Sequence, residues 1–548
     1  MTGAEAVVHL MKKEGIEHIF QLPGSQILEL LDSLYDSPIR NIMTRHEQGA
    51  AFMAEGYARA KKSFGICMST AGPGATNLVS GIAASFKAGT PVIAMTGVHD
   101  QWLLEKDSFH EIDQAALFKP ITKWSYVVTQ ADMIPEIVHK AFKIALSGQP
   151  GPVHLGFPRD LFPQEIDFAY PVAKHLRALN VPACEPELLE EMINLLKQAK
   201  YPVILAGNDI LWCRAAEELK EFAELQSIPV TTTWDHIDAF PTTHPLGMGP
   251  IGRNRSEAAN FLLAKADLLL ALGTRFDYQS TRFNYQFISR KSKIIQVTLD
   301  AEEIGRIYPV DLGLFSDVKF VLRELLKRLK SSQSKMANRW KPAQLKGIKE
   351  DWLACRSAAM NLSNQPIFPQ AIVKTLREVL DPSAIIVIDG GNYAKHVRRH
   401  FDTYEADTFY YTDNIGSVGS AFPMALGIKL ACPERQVVCL IGDGGFLFNS
   451  QELETAVRER IEVCTIVFND FGYGNVRAYQ QKKFGGRYCC DFANPDFGEL
   501  AGLYKAHGAQ VAELRQLEPA VRKAMKSGKP SVIDVVMSGE ELSTPGFM

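Results

Sequence analysis

Residues Val437 to Asp470, VVCLIGDGGFLFNSQELETAVRERIEVCTIVFND, decide the fold class of this chain. An apolar run ends at Ile441, a glycine-rich turn carries Asp443, and a second apolar run ends at Phe468. Between the two runs, the segment from Gln451 to Arg460 has the composition and spacing of a helix. The pattern predicts a strand–helix–strand unit whose two strands are parallel.

A β-hairpin is the alternative for this stretch, because Asp-Gly between two apolar runs is also a strong turn signal. Judged on the turn alone, the hairpin is favoured. After the turn, however, Leu453, Val457 and Ile461 recur at helical spacing. A second hairpin strand would not show this period, so we expect the strand–helix–strand unit.

The two aspartates of the stretch follow the two predicted strands. Asp443 and Asp470 lie 27 residues apart (443 to 470), and parallel strands would bring them to the same carboxyl edge of a sheet, where open α/β folds bind ligands. Carboxylate oxygens at such an edge suit Mg²⁺ or Ca²⁺. Gly442, Gly444 and Gly445 allow backbone N–H groups to approach a phosphate.

Short runs rich in Val, Ile and Leu alternate with helical stretches along the whole chain, among them GICMST, PVILAG, LLLALG and AIIVIDG. This alternation is typical of parallel sheets covered by helices on both faces. Phe162–Pro186, with its prolines, and the polar Ser331–Leu345 have the composition of linkers. We expect an α/β fold with three doubly wound parallel-sheet domains.

The composition excludes several classes of protein. The 548 residues include 59 Lys and Arg against 62 Asp and Glu, a net charge of −3 that favours neither nucleic acid nor a membrane surface as partner. No apolar run approaches the roughly 20 residues that span a bilayer. Met1–Phe20 has the period of a first amphipathic helix rather than of a signal peptide.

The cysteines point to a reducing compartment. There are nine, an odd number, without a CxxC pair, and several lie inside apolar strand-like runs. Buried thiols explain this usage better than disulfides or zinc ligands do. We therefore expect a cytoplasmic protein.

The motif pattern resembles the thiamine diphosphate-dependent superfamily of acetolactate synthases, pyruvate decarboxylases and 2-hydroxyacyl-CoA lyases, and acetolactate synthase large subunits in particular. The resemblance implies that Asp443, Asp470 and the carbonyl of Gly472 bind Mg²⁺ on the cofactor diphosphate, with Tyr473 beside it. The family usually has Asn-Asn where this chain has Asn469-Asp470. The additional charge should bind the cation more tightly and repel the diphosphate.

A glutamate is needed for the pyrimidine ring of this cofactor, because the ring becomes a base only when a proton-holding carboxyl meets its N1′ atom. RHEQGAAFMAEGYARA resembles the glutamate helix of the family and matches Glu47 to that carboxylate. A helix glutamate is more often a solvated surface group, and without the resemblance Glu47 does not stand out from Glu55.

Three glycine-rich turns complete the resemblance. STAGPGATN, with Gly72 and Asn77, lacks the third glycine of a dinucleotide turn and fits a backbone wall for the cofactor better. In DNIGSVGSAFPMALG the family assigns the Gly416 carbonyl to the 4′-amino group and Val418 to a wedge under the cofactor; a plain glycine-rich helix entry is the alternative.

The third turn, IDGGNYAKH, resembles the diphosphate-binding turn of the family, with Asn392-Tyr393 where relatives often have Gln-His. Matching motifs occur at both ends of the chain and in family order. The resemblance thus covers essentially the full length.

The resemblance also identifies substrate-side residues. In DSFHEIDQ, Phe109 agrees with acetolactate synthases and His110 replaces a glutamine; such a histidine can transfer a proton, and a surface histidine is the alternative. Further substrate-side candidates are Ser25, Asn475, Val476 and Tyr479. Val476 agrees with the synthases, whereas Asn475 and Tyr479 replace a methionine and a tryptophan and imply a more polar pocket. Arg477 and Arg487 are either ligands for an acidic substrate or structural arginines.

The family divides such a chain into a pyrimidine-binding domain (1–165), a central Rossmann-like domain (184–330) and a diphosphate-binding domain (350–548). The central segment HPLGMGPIGRNRSEAANF lacks the pattern of the flavin-binding synthases, which argues against FAD. Because the family builds each site from two subunits, we expect a homodimer or homotetramer.

The prediction is an acetolactate synthase-like 2-oxo acid decarboxylase and carboligase, dependent on thiamine diphosphate and Mg²⁺. A 2-hydroxyacyl-CoA lyase and a simple 2-oxo acid decarboxylase are alternatives. A cofactor-binding regulatory subunit without activity is a third, against which the presence of Glu47 argues.

Overall fold

A computed structural model describes residues 1–167, 183–252, 256–332, 338–360, 366–412 and 415–539. Most of the linker predicted over Phe162–Pro186, and the middle of the one over Ser331–Leu345, lie outside these residues. The described chain contains three parallel sheets of six strands each. Helices follow most strands, so the predicted α/β fold is confirmed.

The N-terminal sheet pairs its strands in the order β2-β1-β3-β4-β6-β5, with the labels given below. Successive residues of β3 face opposite cores: Ile66 and Met68 one, Cys67 the other. Both faces of the sheet are therefore covered. The strands are β1 (His18–Gln21), β2 (Arg40–Met43), β3 (Gly65–Ser69), β4 (Val92–Val98), β5 (Trp124–Val127) and β6 (Val153–Pro158). The helices are α1 (Gly3–Lys13), α2 (Leu28–Tyr35), α3 (Glu47–Lys61), α4 (Pro73–Ala88), α5 (Gln114–Phe118) and α6 (Ile134–Leu146).

The predicted first helix is shorter than its sequence period indicated. It ends at Lys13, and the chain then forms β1 from His18. Gly15 lies between them with φ +74°, a left-handed conformation that ends helices. The prediction that one helix fills Met1–Phe20 was wrong in its second half.

The central sheet has the order β12-β11-β10-β7-β8-β9, which from its other edge is the 3-2-1-4-5-6 order of Rossmann domains. Its strands are β7 (Pro202–Ala206), β8 (Val230–Thr232), β9 (Gly247–Pro250), β10 (Leu268–Leu272), β11 (Lys293–Thr298) and β12 (Leu312–Phe315). Helices α7 to α13 are Pro186–Gln198, Asn208–Trp212, Ala216–Gln226, Glu257–Lys265, Tyr278–Thr281, Val318–Ser332 and Pro342–Met360.

The C-terminal sheet has the order β14-β13-β15-β16-β18-β17, the same topology as the N-terminal sheet. Its strands are β13 (Ile385–Ile388), β14 (Phe409–Tyr410), β15 (Val437–Gly442), β16 (Cys464–Asn469), β17 (His507–Val511) and β18 (Ser531–Val536). Helices α14 to α21 are Pro369–Val379, Tyr393–His400, Ala421–Ala431, Asp443–Asn449, Glu452–Arg458, Gly474–Phe484, Phe497–Leu503 and Leu517–Lys526.

The stretch that decides the fold is a parallel strand–helix–strand unit, as predicted, because β15 and β16 pair in parallel. The helix differs from the prediction. It begins at Asp443 rather than Gln451, and it is divided into α17 and α18 near Ser450. The two glycines after Asp443 thus belong to the first helical turn and not to a preceding loop.

The N-terminal and C-terminal sheets share one hydrophobic core, in which α3 packs against α16. Glycines bring the two helix backbones into contact. A Cβ atom on Gly56 would lie 2.3 Å from the carbonyl oxygen of Met424, and one on Gly427 would lie 2.0 Å from that of Met53. Larger side chains would push these helices apart.

The nine cysteines are free thiols; Cys67, Cys439, Cys464 and Cys490 are buried, whereas Cys355 and Cys489 are exposed. Within the residues that the structure describes, no helix has both the length and the apolar character needed to cross a membrane.

Candidate active site

Loops at the carboxyl edge of the C-terminal sheet enclose a cleft of about 280 Å³. They follow neighbouring strands, so residues far apart in sequence meet there, as at other ligand sites of open α/β sheets. The predicted residues that line the cleft are Asn392, Tyr393, Gly416, Val418, Gly442, Asp443, Gly444, Gly445, Asp470, Gly472, Tyr473, Asn475 and Val476.

Asp443, the first residue of α17, is 2% exposed. Its carboxylate accepts hydrogen bonds from the backbone N–H groups of Gly444 at 2.8 Å and Gly472 at 3.1 Å. The side-chain amide of Asn494 donates a third bond at 2.8 Å. Burial raises the pKa of Asp443 nonetheless. These contacts fix the carboxylate at the floor of the cleft. All three donors are neutral, so none of them balances its negative charge.

Asp470 follows β16 and lines the same cleft. Burial, and after it the charge of Asp443, raises the pKa of Asp470 to about 7. One of its oxygens lies 3.2 Å from Nη1 of Arg477. The two carboxylates therefore repel each other, and a divalent cation between them would stabilise both in the ionised form.

Arg477 is buried and holds the loop after β16. Its guanidinium donates to the backbone oxygen of Asp470 at 3.1 Å, to Asp491 at 2.7 Å and to the backbone oxygen of Gly539 at 3.2 Å. These contacts favour the structural alternative for Arg477 over the substrate-ligand alternative. Arg487 is exposed and does not line the cleft.

The glycines after Asp443 are required by close packing. A Cβ atom on Gly444 would lie 2.6 Å from a ring carbon of Tyr473, and one on Gly445 would lie 2.5 Å from an oxygen of Asp389. No larger residue fits at either position without displacing the floor of the cleft.

Asp389, which the sequence analysis did not single out, lies directly beneath this floor. Its carboxylate accepts from the backbone N–H groups of Gly390 at 2.8 Å and Gly419 at 2.6 Å, and from the hydroxyl of Ser420 at 3.3 Å. Burial raises the pKa of Asp389 to about 7. The contacts join the turn after β13 to the loop of Val418. Its position after an apolar strand, like that of Asp443, was a usable signal.

Tyr393 forms part of the cleft wall through its ring. Its hydroxyl donates to the backbone oxygen of Leu440 at 2.7 Å and accepts from the backbone N–H of Asp389 at 2.9 Å. The ring stacks on Phe468 with centroids 4.5 Å apart. The hydroxyl is therefore engaged with the sheet, whereas Asn392 is the polar side chain of this turn at the cleft.

Lys395 is a cleft residue that the sequence analysis missed, and it is 5% exposed. Its ammonium group donates to the side-chain oxygens of Asn475 at 2.8 Å and Asn392 at 3.3 Å. The ammonium also lies 6.0 Å from the ring centroid of Tyr479, a predicted substrate residue outside the cleft lining. Its position one helical turn after Asn392, on the same face of α15, was the signal available.

The central part of the chain covers one side of the cleft with Trp234, in the loop after β8, and Gln279, in α11. The guanidinium of Arg398 stacks over the ring of Trp234 at 3.5 Å and over that of Tyr411 at 4.2 Å. Sequence motifs gave no indication of this wall, because it depends on how two sheets pack.

The other predicted residues lie at the carboxyl edge of the N-terminal sheet. Glu47, the first residue of α3, is 5% exposed, and its carboxylate accepts from the side-chain amide of Asn77 at 2.9 Å. The imidazole of His46 caps the same helix by accepting from the backbone N–H of Gln48 at 3.1 Å. The carboxylate of Glu47 is thus held at a buried helix start and is not solvated.

Ser25, Gly72 and the pair Phe109-His110 follow β1, β3 and β4 at this same edge. A Cβ atom on Gly72, which has φ +56°, would lie 2.6 Å from the backbone oxygen of His110. Phe109 is 79% exposed and stacks on His110 with centroids 3.8 Å apart. Ser25 is exposed and bonds to Gln26 at 3.0 Å.

The contacts that join the two edges within one chain do not bring the predicted N-terminal residues into the cleft. None of the residues predicted on the N-terminal sheet, Ser25, Glu47, Gly72, Asn77, Phe109 and His110, lines the cleft formed by the described residues. One chain therefore presents two half-sites: a buried carboxyl with an exposed aromatic loop, and a cleft with paired carboxylates.

A glycine-lined cleft with paired carboxylates, at the carboxyl edge of a parallel sheet, is typical of the ligand sites of open α/β enzymes. Family models specify the cofactor. Residues 1–117 match the N-terminal TPP binding domain of thiamine pyrophosphate enzymes, residues 189–325 the central domain, and residues 389–535 the C-terminal TPP binding domain.

Relatives match over nearly the full chain. A probable acetolactate synthase large subunit of Methanocaldococcus jannaschii is 36% identical over 99% of this chain and 93% of its own length. The acetolactate synthase large subunits of Corynebacterium glutamicum and Mycobacterium tuberculosis are each 33% identical, over 99% and 98% of this chain and 87% and 88% of their own lengths.

The chain therefore belongs to the thiamine pyrophosphate enzyme family. The predicted resemblance and the predicted cofactor, thiamine diphosphate, are confirmed at this level.

Proposed function

We propose that the protein is an acetolactate synthase-like enzyme that decarboxylates a 2-oxo acid and joins the remaining fragment to a second carbonyl compound, with thiamine diphosphate and Mg²⁺. The observation that carries the proposal is the cleft that Asp443 and Asp470 line together with Gly444 and Gly445, close enough for the charge of Asp443 to raise the pKa of Asp470. The names of the relatives, acetolactate synthase large subunits, support the reaction.

Mg²⁺ would bind to Asp443, Asp470 and the backbone carbonyl of Gly472. The residues fit this role, since the buried Asp443 and the partly buried Asp470 both line the cleft and both have raised pKa values. In the described part of the chain, no group of three or more His, Cys, Asp or Glu side chains could hold a metal alone. Hence the ion would need phosphate oxygens as further ligands, as Mg²⁺ sites on bound phosphates do.

Glu47 would meet the pyrimidine ring. When bound, thiamine diphosphate supplies the carbanion that attacks the carbonyl carbon of the substrate. Glu47 would hold the proton at the ring nitrogen, and Asn77 would keep its carboxyl in place through the 2.9 Å hydrogen bond. Across the cleft, Gly416 would receive the amino group of the ring, and Val418 would support the bend of the cofactor.

We propose a homodimer or homotetramer as the working form, because one chain separates its half-sites. The Glu47 edge of one subunit would face the cleft of another. Exposed apolar side chains on both surfaces support this arrangement: Trp102 and Phe109 at the N-terminal edge, and Val418, Phe448 and Val476 near the cleft. Covering such side chains would stabilise the pairing.

On the substrate side we place Phe109, His110 and Ser25 from one subunit, opposite Asn475, Val476 and Tyr479 from the other. His110 has the properties of a proton-transfer residue. It has φ +71°, a strained backbone conformation, and its buried Nδ1 atom has no hydrogen-bond partner among the described residues.

Residues 1–165 would form the pyrimidine-binding domain, 184–330 the central domain and 350–548 the diphosphate-binding domain. For the central domain we propose no flavin. The cleft beyond its sheet, lined by Asn208, Thr274 and Arg275 among others, measures about 40 Å³. Cofactor pockets usually measure about 300–1,000 Å³, so the small size of this cleft supports the proposal. We place the enzyme in the cytoplasm, which the free cysteines support.

The experiment supplies purified protein with thiamine diphosphate and Mg²⁺ and offers a panel of 2-oxo acids, with and without aldehyde acceptors. Expected are CO₂ and a ligated product, acetolactate when pyruvate is the substrate. CO₂ with free aldehyde alone would mean a simple decarboxylase. No turnover of any 2-oxo acid, with turnover of a 2-hydroxyacyl-CoA, would mean a lyase. Failure to bind the cofactor would refute the proposal.

A further inference from the structure

Glu452, at the start of α18, is fully buried, yet it does not line the cleft. Its carboxylate accepts from the backbone N–H of Arg45 at 3.0 and 3.2 Å and from that of His46 at 3.0 Å. The hydroxyl of Thr455 donates a further bond at 2.7 Å. Arg45 and His46 directly precede Glu47, so a residue of the C-terminal half binds the turn that carries the carboxyl for the pyrimidine ring.

The surroundings of Glu452 are shaped to admit its carboxylate. A Cβ atom on Gly49 would lie 2.5 Å from Oε1 of Glu452, so a larger residue in the first turn of α3 would block this approach. A second contact runs alongside, from the side-chain amide of Asn449 to that of Gln48 at 3.3 Å. Arg45 and His46, before Glu47, are thus held from α18, and Gln48, after it, is held from α17.

Packing alone would not require a carboxylate at this position. A buried carboxylate is costly unless its oxygens receive hydrogen bonds, and backbone N–H groups left without an acceptor are costly as well. Here the carboxylate of Glu452 accepts the hydrogen bonds that the backbone N–H groups of Arg45 and His46 need to donate. The contact fixes the backbone immediately before Glu47, which sets the direction in which the Glu47 side chain leaves α3.

We propose that Glu452 is a positioning residue for the reaction: it holds the Arg45–His46 turn so that the Glu47 carboxyl meets the pyrimidine nitrogen of the cofactor. The inference rests on the proposed function of Glu47. Glu452 does not touch cofactor or substrate. It acts through the backbone, and it links the segment that begins at Asp443, nine positions earlier (443 to 452), to the Glu47 turn of the same chain.

The test compares Glu452→Ala, Glu452→Gln and Thr455→Val with the control Glu462→Gln, which removes an exposed carboxylate just after α18. Three quantities are measured: the affinity for thiamine diphosphate with Mg²⁺, kcat, and the rate at which bound cofactor exchanges its thiazolium C2 proton for deuterium. The exchange rate per occupied site reports activation by Glu47, independent of substrate.

We expect Glu452→Ala to slow C2 exchange and kcat by about tenfold, the effect of unpairing backbone N–H groups, with cofactor affinity and KM within about threefold. Glu452→Gln, which keeps one acceptor oxygen, should restore part of the rate. Thr455→Val should have a smaller effect, and the control none. A purely structural role would lower Tm without changing exchange per bound cofactor, and that result would overturn the inference.

Failure of the proposed function gives a different result. If wild-type protein neither binds thiamine diphosphate nor accelerates C2 exchange, the role of Glu47 falls, and that of Glu452 with it. If wild-type exchange is fast and Glu47→Gln abolishes it while Glu452→Ala and Glu452→Gln leave it unchanged, only the present inference is wrong. Glu452→Gln and Thr455→Val keep the test decisive should Glu452→Ala not fold.

Discussion

The N-terminal and C-terminal sheets have the same topology and carry different chemistry. In each, counting from its own first strand, the strands are ordered 2-1-3-4-6-5. After the second strand, the N-terminal half has Glu47 and the C-terminal half has the loop of Val418; after the third, the former has the Gly72 turn and the latter Asp443. One scaffold thus presents a proton-holding carboxyl in one half and a cation-binding pair in the other.

The difference lies in how each half treats its carboxylates. Glu47 is buried, accepts a hydrogen bond from Asn77 and does not line the cleft of its own chain. Asp443 and Asp470 line an open cleft and repel each other. The N-terminal half presents a carboxyl group that is already held in place for the pyrimidine ring. The C-terminal half needs Mg²⁺ and the cofactor diphosphate to offset the repulsion between its two carboxylates. Substitutions in each half should therefore affect different steps.

Breaking the C-terminal half should have the largest effect. Asp443→Asn keeps the shape of the side chain and removes one charge from the pair, so cofactor binding should lose its dependence on Mg²⁺. Metal-assisted charge stabilisation is worth several kcal/mol, so turnover should fall roughly 10³-fold or more. Titration calorimetry of thiamine diphosphate with and without Mg²⁺ measures the first effect, and CO₂ release the second.

Glu518→Gln is the matched control for this change. It removes a half-exposed carboxylate paired with the exposed Arg522 on α21, outside the cleft lining. Binding and turnover should stay within about threefold, since exposed ion pairs contribute about 0–1 kcal/mol. If Asp443→Asn left Mg²⁺-dependent binding intact, the metal would have to bind elsewhere.

Breaking the N-terminal half should leave binding and remove activation. Glu47→Gln should lower kcat roughly 10²- to 10⁴-fold, the range for a lost proton-transfer group, with cofactor affinity changed little. Steady-state CO₂ release and calorimetry on the same preparation separate the two. Glu136→Gln, at an exposed position on α6, is the control. Full activity of Glu47→Gln would favour a different role for this helix.

The residues that the sequence could predict are those that belong to local patterns. Asp443, Asp470 and the glycines were found because each follows an apolar strand directly, a local pattern. The parallel pairing of β15 with β16 was predictable for the same reason. The start of the intervening helix was not, because Gly444 and Gly445 weaken the helical signal although Asp443 already begins the first turn.

Residues that depend on contacts between sheets were missed. Trp234 reaches the cleft from the central part of the chain, and Glu452 reaches the Glu47 turn across the core shared by α3 and α16. Along the sequence, each is an ordinary core aromatic or helix glutamate. Lys395 and Asp389 lie next to recognised motifs, and only the fold shows that one lines the cleft and the other supports its floor.

The contact between Glu452 and the Arg45–His46 turn, which joins the two halves, should stabilise the fold to a degree that depends on pH. Burial raises the pKa of Glu452 from 4.5 to about 7 in the folded protein, against the hydrogen bonds from Arg45, His46 and Thr455 and together with the charge of Glu454. Between these two values the folded protein binds the proton more tightly than the unfolded chain does. The stabilisation is therefore complete below about pH 4.5 and is lost as the pH rises through about 7.

We expect the free energy of unfolding of the wild type, relative to Glu452→Gln, to fall by about 1–3 kcal/mol between pH 5 and pH 8. Thermal unfolding of both proteins at one-unit steps measures the difference. Glu462→Gln, at an exposed position just after α18, should show a flat difference. A flat difference for Glu452→Gln as well would mean that the buried carboxyl does not titrate in this range.

The smallest effect should come from the second residue that holds Glu47. Asn77→Ala removes the 2.9 Å hydrogen bond to the Glu47 carboxylate and leaves α4 otherwise intact. Because hydrogen bonds to charged groups contribute roughly 1.5–3 kcal/mol and the turn stays bound to Glu452, we expect kcat to fall about tenfold. Ser80→Ala, at an exposed position on the same helix, is the control. The double variant Asn77→Ala with Glu452→Ala tests whether the two contacts position Glu47 together. If its kcat is much lower than the product of the two single effects predicts, each contact compensates for the loss of the other. If its kcat equals that product, the two contacts act on Glu47 independently.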